Sequence, residues 1–295
     1  MKRSKYLIIL LVIMIFAISC TTVKQEVQPR FAVTEKAISI KNGDHVIPAI
    51  LTIPEGEGKC PAIIMLHGTG SNKNEAGDAY KMLAPKLSKE GIATIRFDFP
   101  ECGDNTVPYS NYSNSYAIAE TEAVRTYLLE NKDIDAKRIG VLGWSQGGSD
   151  ALLVAGANPK AYKSVATWAG ALSPSLESMV TPEMKKQIEE TGLADFDMGF
   201  RPVVKLSKQW LEELTTYNVL TYAKKIQAPI GSIHGTVDDT VPYSDSEAVQ
   251  AIAKNKLSKL IPIEGADHLY GVFSGDLTTY KILAEATINW FKETL

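Results

Sequence analysis

The chain has 295 residues, of which 45% are hydrophobic and 22% charged, and its formal net charge is −3. That composition excludes wholesale disorder and collagen-like repeats, and the length admits one large domain or two small ones. So mild a charge carries no basic footprint for a nucleic-acid partner, and Cys20, Cys60 and Cys102 show no zinc-type spacing.

Lys2, Arg3 and Lys5 open the chain, and Tyr6 to Ile18 follows as an unbroken apolar run of 13 residues. A membrane span needs about 20 residues, so the run fits the core of a secretory signal. It ends in Ala17-Ile18-Ser19-Cys20. Small residues before a cysteine resemble the cleavage box of bacterial lipoproteins, with Ala17 where leucine is usual. The expectation is a signal peptide over 1–19, lipidation at Cys20, a polar tether over 20–35 containing Pro29, and a folded domain over 36–295. Loss of residues 1–19 takes the formal charge from −3 to −6. The protein is then exported or lipid-anchored in the bacterial cell envelope, where disulfides are permitted. Cys60 and Cys102 either pair there or stay as buried thiols.

From residue 38 onward short apolar runs alternate with longer amphipathic ones, which predicts an α/β fold with a mostly parallel sheet flanked by helices. Ile38–Ile40 and Val46–Ile53 flank Asn42-Gly43-Asp44 and predict a hairpin. Pro61–His67 reads as a buried strand, Tyr80–Lys89 as a helix stopped by Gly91, and Ile92–Phe99 as the next strand. Asn114–Asn131 has apolar residues at helical spacing. Ile139–Trp144 is a strand followed at once by a helix over Gly147–Ala157, and Val165–Ala169 is another strand. The rhythm then breaks: Gly170 to Tyr222 is rich in Met, Glu, Lys and aromatics, reads as mainly helical without a clear strand, and is taken as a cap insertion over about 171–222. Pro229–His234 and Leu260–Ile263 are the last strands, with helices at Ser244–Lys254 and Thr278–Lys292.

The chemistry-bearing motif is Gly143-Trp144-Ser145-Gln146-Gly147. It matches G-x-S-x-G with a strand before it and a helix after it, the context of a nucleophile elbow. The glycines leave room for a sharp turn that lifts the serine oxygen above the sheet edge and aims helix N–H groups at a substrate. A serine hydroxyl needs a base, and in this arrangement the order along the chain is serine, acid, histidine. Of His45, His67, His234 and His268, the first two precede Ser145 and no strand-end acid separates His234 from it. His268, after the last strand, is the expected base. The acid belongs on the loop after the penultimate strand, which offers Asp238 and Asp239; Asp238 is preferred on the family loop pattern given below, with Asp239 the alternative, and the acid's role is to hold and charge-stabilise the imidazole. Asp267 is set aside because adjacent side chains on an extended loop point apart. The oxyanion donors are expected to be the backbone N–H of Gln146 and that of Thr69, in the loop His67-Gly68-Thr69-Gly70. His67 is read as tying that loop down.

These residues resemble the α/β-hydrolase superfamily. HG-x-G after a strand, RFDF before a loop, GWSQGG, HGTVDDTVP and EGADH follow its order, from about Ile38 to Leu295. Within it the chain is similar to small bacterial esterases related to cinnamoyl (feruloyl) esterases and acylglycerol lipases. The resemblance implies a sheet of about eight strands with helices on both faces, a nucleophile at Ser145, an acid at Asp238, a base at His268 and oxyanion donors at Thr69 and Gln146. It implies a small-molecule ester as substrate, hydrolysed through an acyl-enzyme, and no cofactor. Two positions depart from the pattern: Pro100-Glu101-Cys102-Gly103-Asp104-Asn105 replaces the usual G-x-G-x-S-like turn, and Thr69 stands where relatives often carry a bulky residue. The same triad serves thioesterases, amidases and peptidases, and a non-catalytic binding lipoprotein could keep the fold. Scattered histidines and the lack of an HExxH pattern argue against a metal-dependent hydrolase.

Overall fold

The computed structural model describes residues 31–56 and 58–295. The expected signal peptide, Cys20 and most of the expected tether lie outside the described residues. The described chain begins inside the remainder of that tether, because the first strand, β1, spans Ala32–Asn42.

β1 turns back at Gly43 into β2 (His45–Glu55), in antiparallel register from Ala32↔Glu55 to Asn42↔His45. Then come β3 (Cys60–Leu66), α1 (Ala79–Lys89), β4 (Ala93–Phe97), α2 (Asn114–Glu130), β5 (Ile134–Trp144), α3 (Gln146–Ala157) and β6 (Ser164–Trp168). After the cap the chain resumes with β9 (Ile230–Gly235), α8 (Tyr243–Ile252), β10 (Lys259–Ile263) and α9 (Thr278–Thr294). The eight-stranded sheet has the order β1-β2-β4-β3-β5-β6-β9-β10. It is parallel from β4 to β10 and antiparallel only at the β1–β2–β4 edge. β3, β4 and β6 are buried on nearly every residue, as a sheet covered on both faces requires, and β3 is apolar throughout. Two cores result. One holds Ile64, Leu66, Val141 and Leu152 on one face; the other holds Met65, Leu142, Trp168 and Phe291 on the other.

From β3 the chain first moves to β4 on one side and then returns to β5 on the other. The crevice beyond the carboxyl ends of β3 and β5 is where such sheets bind ligands. Leu66 pairs with Gly143 at that end, so the loop after β3 and the Ser145 turn lie side by side.

The cap contains α4 (Ser173–Glu177), α5 (Pro182–Thr191), α6 (Lys208–Thr216) and α7 (Val219–Ala223). Helix starts follow capping chemistry: the hydroxyls of Thr181 and Ser207 accept the N–H groups of Met184 and Trp210. Against expectation the cap also holds a β-hairpin, β7 (Leu193–Phe196) with β8 (Val204–Ser207), in register Leu193↔Ser207 to Phe196↔Val204. Alternation over only four residues in each strand is too short a signal to stand out beside helical neighbours. Glu213 of α6 accepts from Ser115 N at 2.7 Å and joins the cap to the start of α2.

Candidate active site

Ser145 sits between β5 and α3 at φ 56°, ψ −119°. A non-glycine residue there is strained by about 1–3 kcal/mol, so the surrounding packing must impose it. The neighbours show how. A Cβ on Gly143 would run into the backbone of Gly147, and one on Gly147 would run into the carbonyls of Leu66 and His67. Only glycine lets strand, turn and helix pass this closely. Ser145 N donates to Trp168 O at 2.8 Å, which fastens the turn to β6. Trp144 points inward, 2% exposed, against Trp168 and Tyr270.

His268 lies in the loop after β10, and its Nδ1 is 2.7 Å from Asp238 Oδ2. The Asp238 side chain is fully buried. Its Oδ1 accepts the backbone N–H of Thr240 (2.9 Å) and Val241 (2.8 Å). A second imidazole reaches the same carboxylate: His234 Nε2 is 3.2 Å from Oδ2 and 3.0 Å from Val241 O, while its Nδ1 meets Ser246 Oγ at 2.7 Å. Burial opposes ionisation of Asp238, but the hydrogen bonds from His234 and His268, the His268 charge and the Val241 amide outweigh it. The carboxyl is held well below the usual carboxylate range. Asp239 faces solvent, where Thr240 Oγ1 donates to it at 3.3 Å. Asp267 caps its own turn by accepting Leu269 N at 3.1 Å.

Gln146 opens α3, and an N–H in the first turn of a helix has no partner within it. Thr69, in the loop after β3, donates its hydroxyl to Gln146 Oε1 at 2.7 Å, so the two expected donor residues are joined. His67 accepts Phe99 N at Nε2 (3.1 Å), which leaves Nδ1–H to donate to Gly68 O at 2.8 Å. Burial pushes this imidazole down to about 4, so it is neutral at pH 7. It fastens the loop, as its position in the sequence suggests.

Ser145, His268, Thr69 and Trp144 line one cavity of about 1030 Å³. The cap supplies Met179, Phe196, Met198, Phe200 and Arg201, and the loop after β10 supplies Leu269 and Phe273. The cap aromatics and methionines thus divide: Met184 and Trp210 pack the core, Tyr217 and Tyr222 stack on each other, and Met179, Phe196, Met198 and Phe200 line the cavity. Arg201 crosses from cap to sheet. Its Nη2 donates to Glu101 O at 2.6 Å, its Nη1 to Gly70 O at 3.2 Å, and it lies over the Tyr109 ring.

Four features of the site were not found from sequence: Glu75, whose carboxylate accepts Gly68 N in the loop after β3, His234 as a partner of Asp238, Arg201, and the β7–β8 hairpin that carries Met198 to Arg201. For His234 a signal existed, since four residues across a tight turn bring it back to Asp238. Glu75 and Arg201 stand in polar or irregular stretches without any pattern. Cys60 and Cys102 are both free thiols. Cys60 opens β3, whereas Cys102 follows the far end of β4, the strand parallel to it. Among the described residues no group of three or more His, Cys, Asp or Glu side chains is arranged to hold a metal ion.

Residues 44–281 match the family model described as "Putative esterase". The 2,6-dihydropseudooxynicotine hydrolase of Paenarthrobacter nicotinovorans is 30% identical over 222 residues, which are 75% of this chain and 56% of that protein. Esterase EstD of Thermotoga maritima is 23% identical over 278 residues, 86% of this chain and 64% of that protein. The chain therefore spans less than two thirds of the length of either relative. Among solved structures, Est1E of Butyrivibrio proteoclasticus with ferulic acid bound superposes with a TM-score of 0.72 at 22% identity, over 88% of this chain and 99% of that one. That likeness shows the α/β-hydrolase fold that the strand order already describes. With more than half of its length inside the family model, the chain belongs to the Esterase family.

Proposed function

We propose that this chain is a serine hydrolase that cleaves carboxylic esters through an acyl-enzyme, with Ser145 as nucleophile, His268 as base and Asp238 as the acid. The observation that carries the reading is a serine held at φ 56° in a cavity it shares with His268, whose other ring nitrogen lies 2.7 Å from the buried Asp238. Ser145 Oγ attacks the ester carbonyl carbon and gives its proton to His268 Nε2. Asp238 keeps the proton on Nδ1 and stabilises the imidazolium. The tetrahedral oxyanion accepts the N–H groups of Thr69 and Gln146. As it collapses, the alcohol leaves with the proton from Nε2. Water, activated by the same imidazole, then attacks the acyl-serine and releases the acid.

The names of the relatives, an esterase and a hydrolase, agree with this reading. The apolar wall of Met179, Phe196, Met198 and Phe273 favours a bulky hydrophobic acyl or aryl group over acetate. Each buried methylene contributes about 0.8 kcal/mol, or about fourfold in kcat/KM. The p-nitrophenyl esters test this: kcat/KM climbs from acetate through butyrate to hexanoate. A flat or falling series contradicts the pocket assignment, and absence of turnover in the folded protein contradicts the ester reading itself.

The N-terminal reading is part of the proposal: export to the cell envelope and attachment through a lipidated Cys20. Metabolic labelling with an alkyne fatty acid marks the wild type and not Cys20→Ala; equal labelling of both removes the anchor from the account.

A further inference from the structure

Gly68 to Ser71 form a tight turn at the exit of β3. Ser71 N donates to Gly68 O at 3.1 Å, and Gly70 takes φ 63°. Thr69 is the second residue of the turn, and its N–H belongs to the same peptide unit as the Gly68 carbonyl. In a trans peptide the two point in opposite directions. Whatever holds Gly68 therefore sets where Thr69 N–H points.

His67 holds the carbonyl side. Glu75 holds the amide side, with Gly68 N donating to its Oε2 at 2.6 Å. Its Oε1 accepts Ala76 N at 2.9 Å. Glu75 thus holds the first residue of the Gly68–Ser71 turn. Glu75 stands there at a double cost. Its backbone lies at φ 67°, ψ 171°, a region that is nearly glycine's alone. Its side chain is taken out of water, with 5% of the residue exposed. Burial pushes the acid up to about 7 against the opposing hydrogen bonds and the His268 charge. What offsets the cost is that the carboxyl supplies the acceptors for Gly68 N and Ala76 N.

Resting on the assignment of Thr69 N–H as an oxyanion donor, we propose that Glu75 is a positioning residue that holds the Gly68–Ser71 turn so that Thr69 N–H faces the developing oxyanion. Arg201 fixes the other end of the same turn through Gly70 O. Between the two arms the Thr69 peptide is set before substrate arrives, which is what electrostatic stabilisation of an oxyanion demands.

The test compares wild type, Glu75→Gly, Glu75→Gln and Ser145→Ala on p-nitrophenyl butyrate. Glycine suits the backbone angles, so Glu75→Gly removes the carboxyl without adding strain; should it not fold, Glu75→Met takes its place. Loss of one oxyanion donor costs on the order of 10²–10³ in kcat, so Glu75→Gly lowers kcat by about 100-fold while KM stays within about twofold. Affinity for a trifluoromethyl ketone, whose adduct with Ser145 carries the oxyanion, falls by the same factor. Glu75→Gln keeps an acceptor of equal reach and recovers at least about a tenth of the wild-type kcat. A folded Glu75→Gly that keeps kcat within about threefold overturns the assignment, as does a Glu75→Gln no more active than the glycine variant. Turnover that is lost in Ser145→Ala but unaffected in Glu75→Gly sinks the positioning role alone. Turnover that persists in Ser145→Ala sinks the serine-hydrolase reading beneath it.

Discussion

Replacement of Ser145 by alanine lowers kcat for p-nitrophenyl esters by about 10⁴-fold or more and leaves the fold intact. The proposed nucleophile stands at positive φ on the turn between β5 and α3 and lines the cavity with His268, a placement that a hydroxyl elsewhere on the wall does not share. Oxyanion donors and binding alone leave a residual rate, as in other enzymes that lose a triad member. Stability moves the other way when glycine is introduced. At φ 56°, ψ −119° the serine is strained by about 1–3 kcal/mol, and Ser145→Gly relieves that strain at about 0.5–1 kcal/mol of chain entropy. The net gain is about 1 kcal/mol, which raises Tm by about 2–4 °C for a domain of this size. A variant that is dead and more thermostable marks strain stored for function. A Ser145→Ala protein that keeps a tenth of the activity places the nucleophile elsewhere, and a Ser145→Gly protein that melts lower than the wild type removes the strain argument.

Asp238→Asn carries the second large effect, a fall of about 10⁴-fold in kcat. The reason lies in how the carboxylate is surrounded. Two backbone N–H groups, from Thr240 and Val241, meet Oδ1, so the amide oxygen of asparagine takes that place. Its NH₂ then faces His268 and His234, both of which met Oδ2. His268 can only accept from it at Nδ1, which puts the ring proton on Nε2 and leaves the base unable to take a proton from Ser145. Asp239→Asn, by contrast, changes kcat by less than about threefold, because that side chain faces solvent away from the imidazole. If Asp239→Asn proves the crippling change and Asp238→Asn the mild one, the acid has been misassigned.

The same carboxylate gives a dependence of stability on pH. Its folded pKa is depressed, so it stabilises the protein above the unfolded value of about 3.9 and loses that contribution as pH falls below it. In Asp238→Asn the acid limb of thermal stability flattens accordingly.

Much of this site was legible in the sequence because chemistry and topology constrain it together. Ser145 is announced by glycines at positions where any Cβ would strike the backbone, and the buried strands before it read as apolar runs because both of their faces are covered. The His67 loop was legible for the same reason. Between Asp238 and Asp239 the sequence offers only the loop pattern HGTVDDTVP, whereas in the fold Asp238 turns inward to meet amides and imidazoles and Asp239 faces solvent. The β7–β8 hairpin was not legible, since four-residue strands carry too little periodicity. Glu75 and Arg201 were missed because their partners are main-chain groups, Gly68 N, Gly70 O and Glu101 O, which leave no trace in side-chain spacing.

Adduct mapping with a fluorophosphonate asks whether Ser145 is the proposed nucleophile. The folded protein is treated with the probe, digested, and the modified peptide identified by mass spectrometry. The expected result is a single phosphonyl adduct on Ser145, strongly reduced by Asp238→Asn or by prior incubation with an ester substrate that accumulates as the acyl-enzyme. A folded, ester-cleaving protein that carries no adduct, or carries it on another residue, would contradict it.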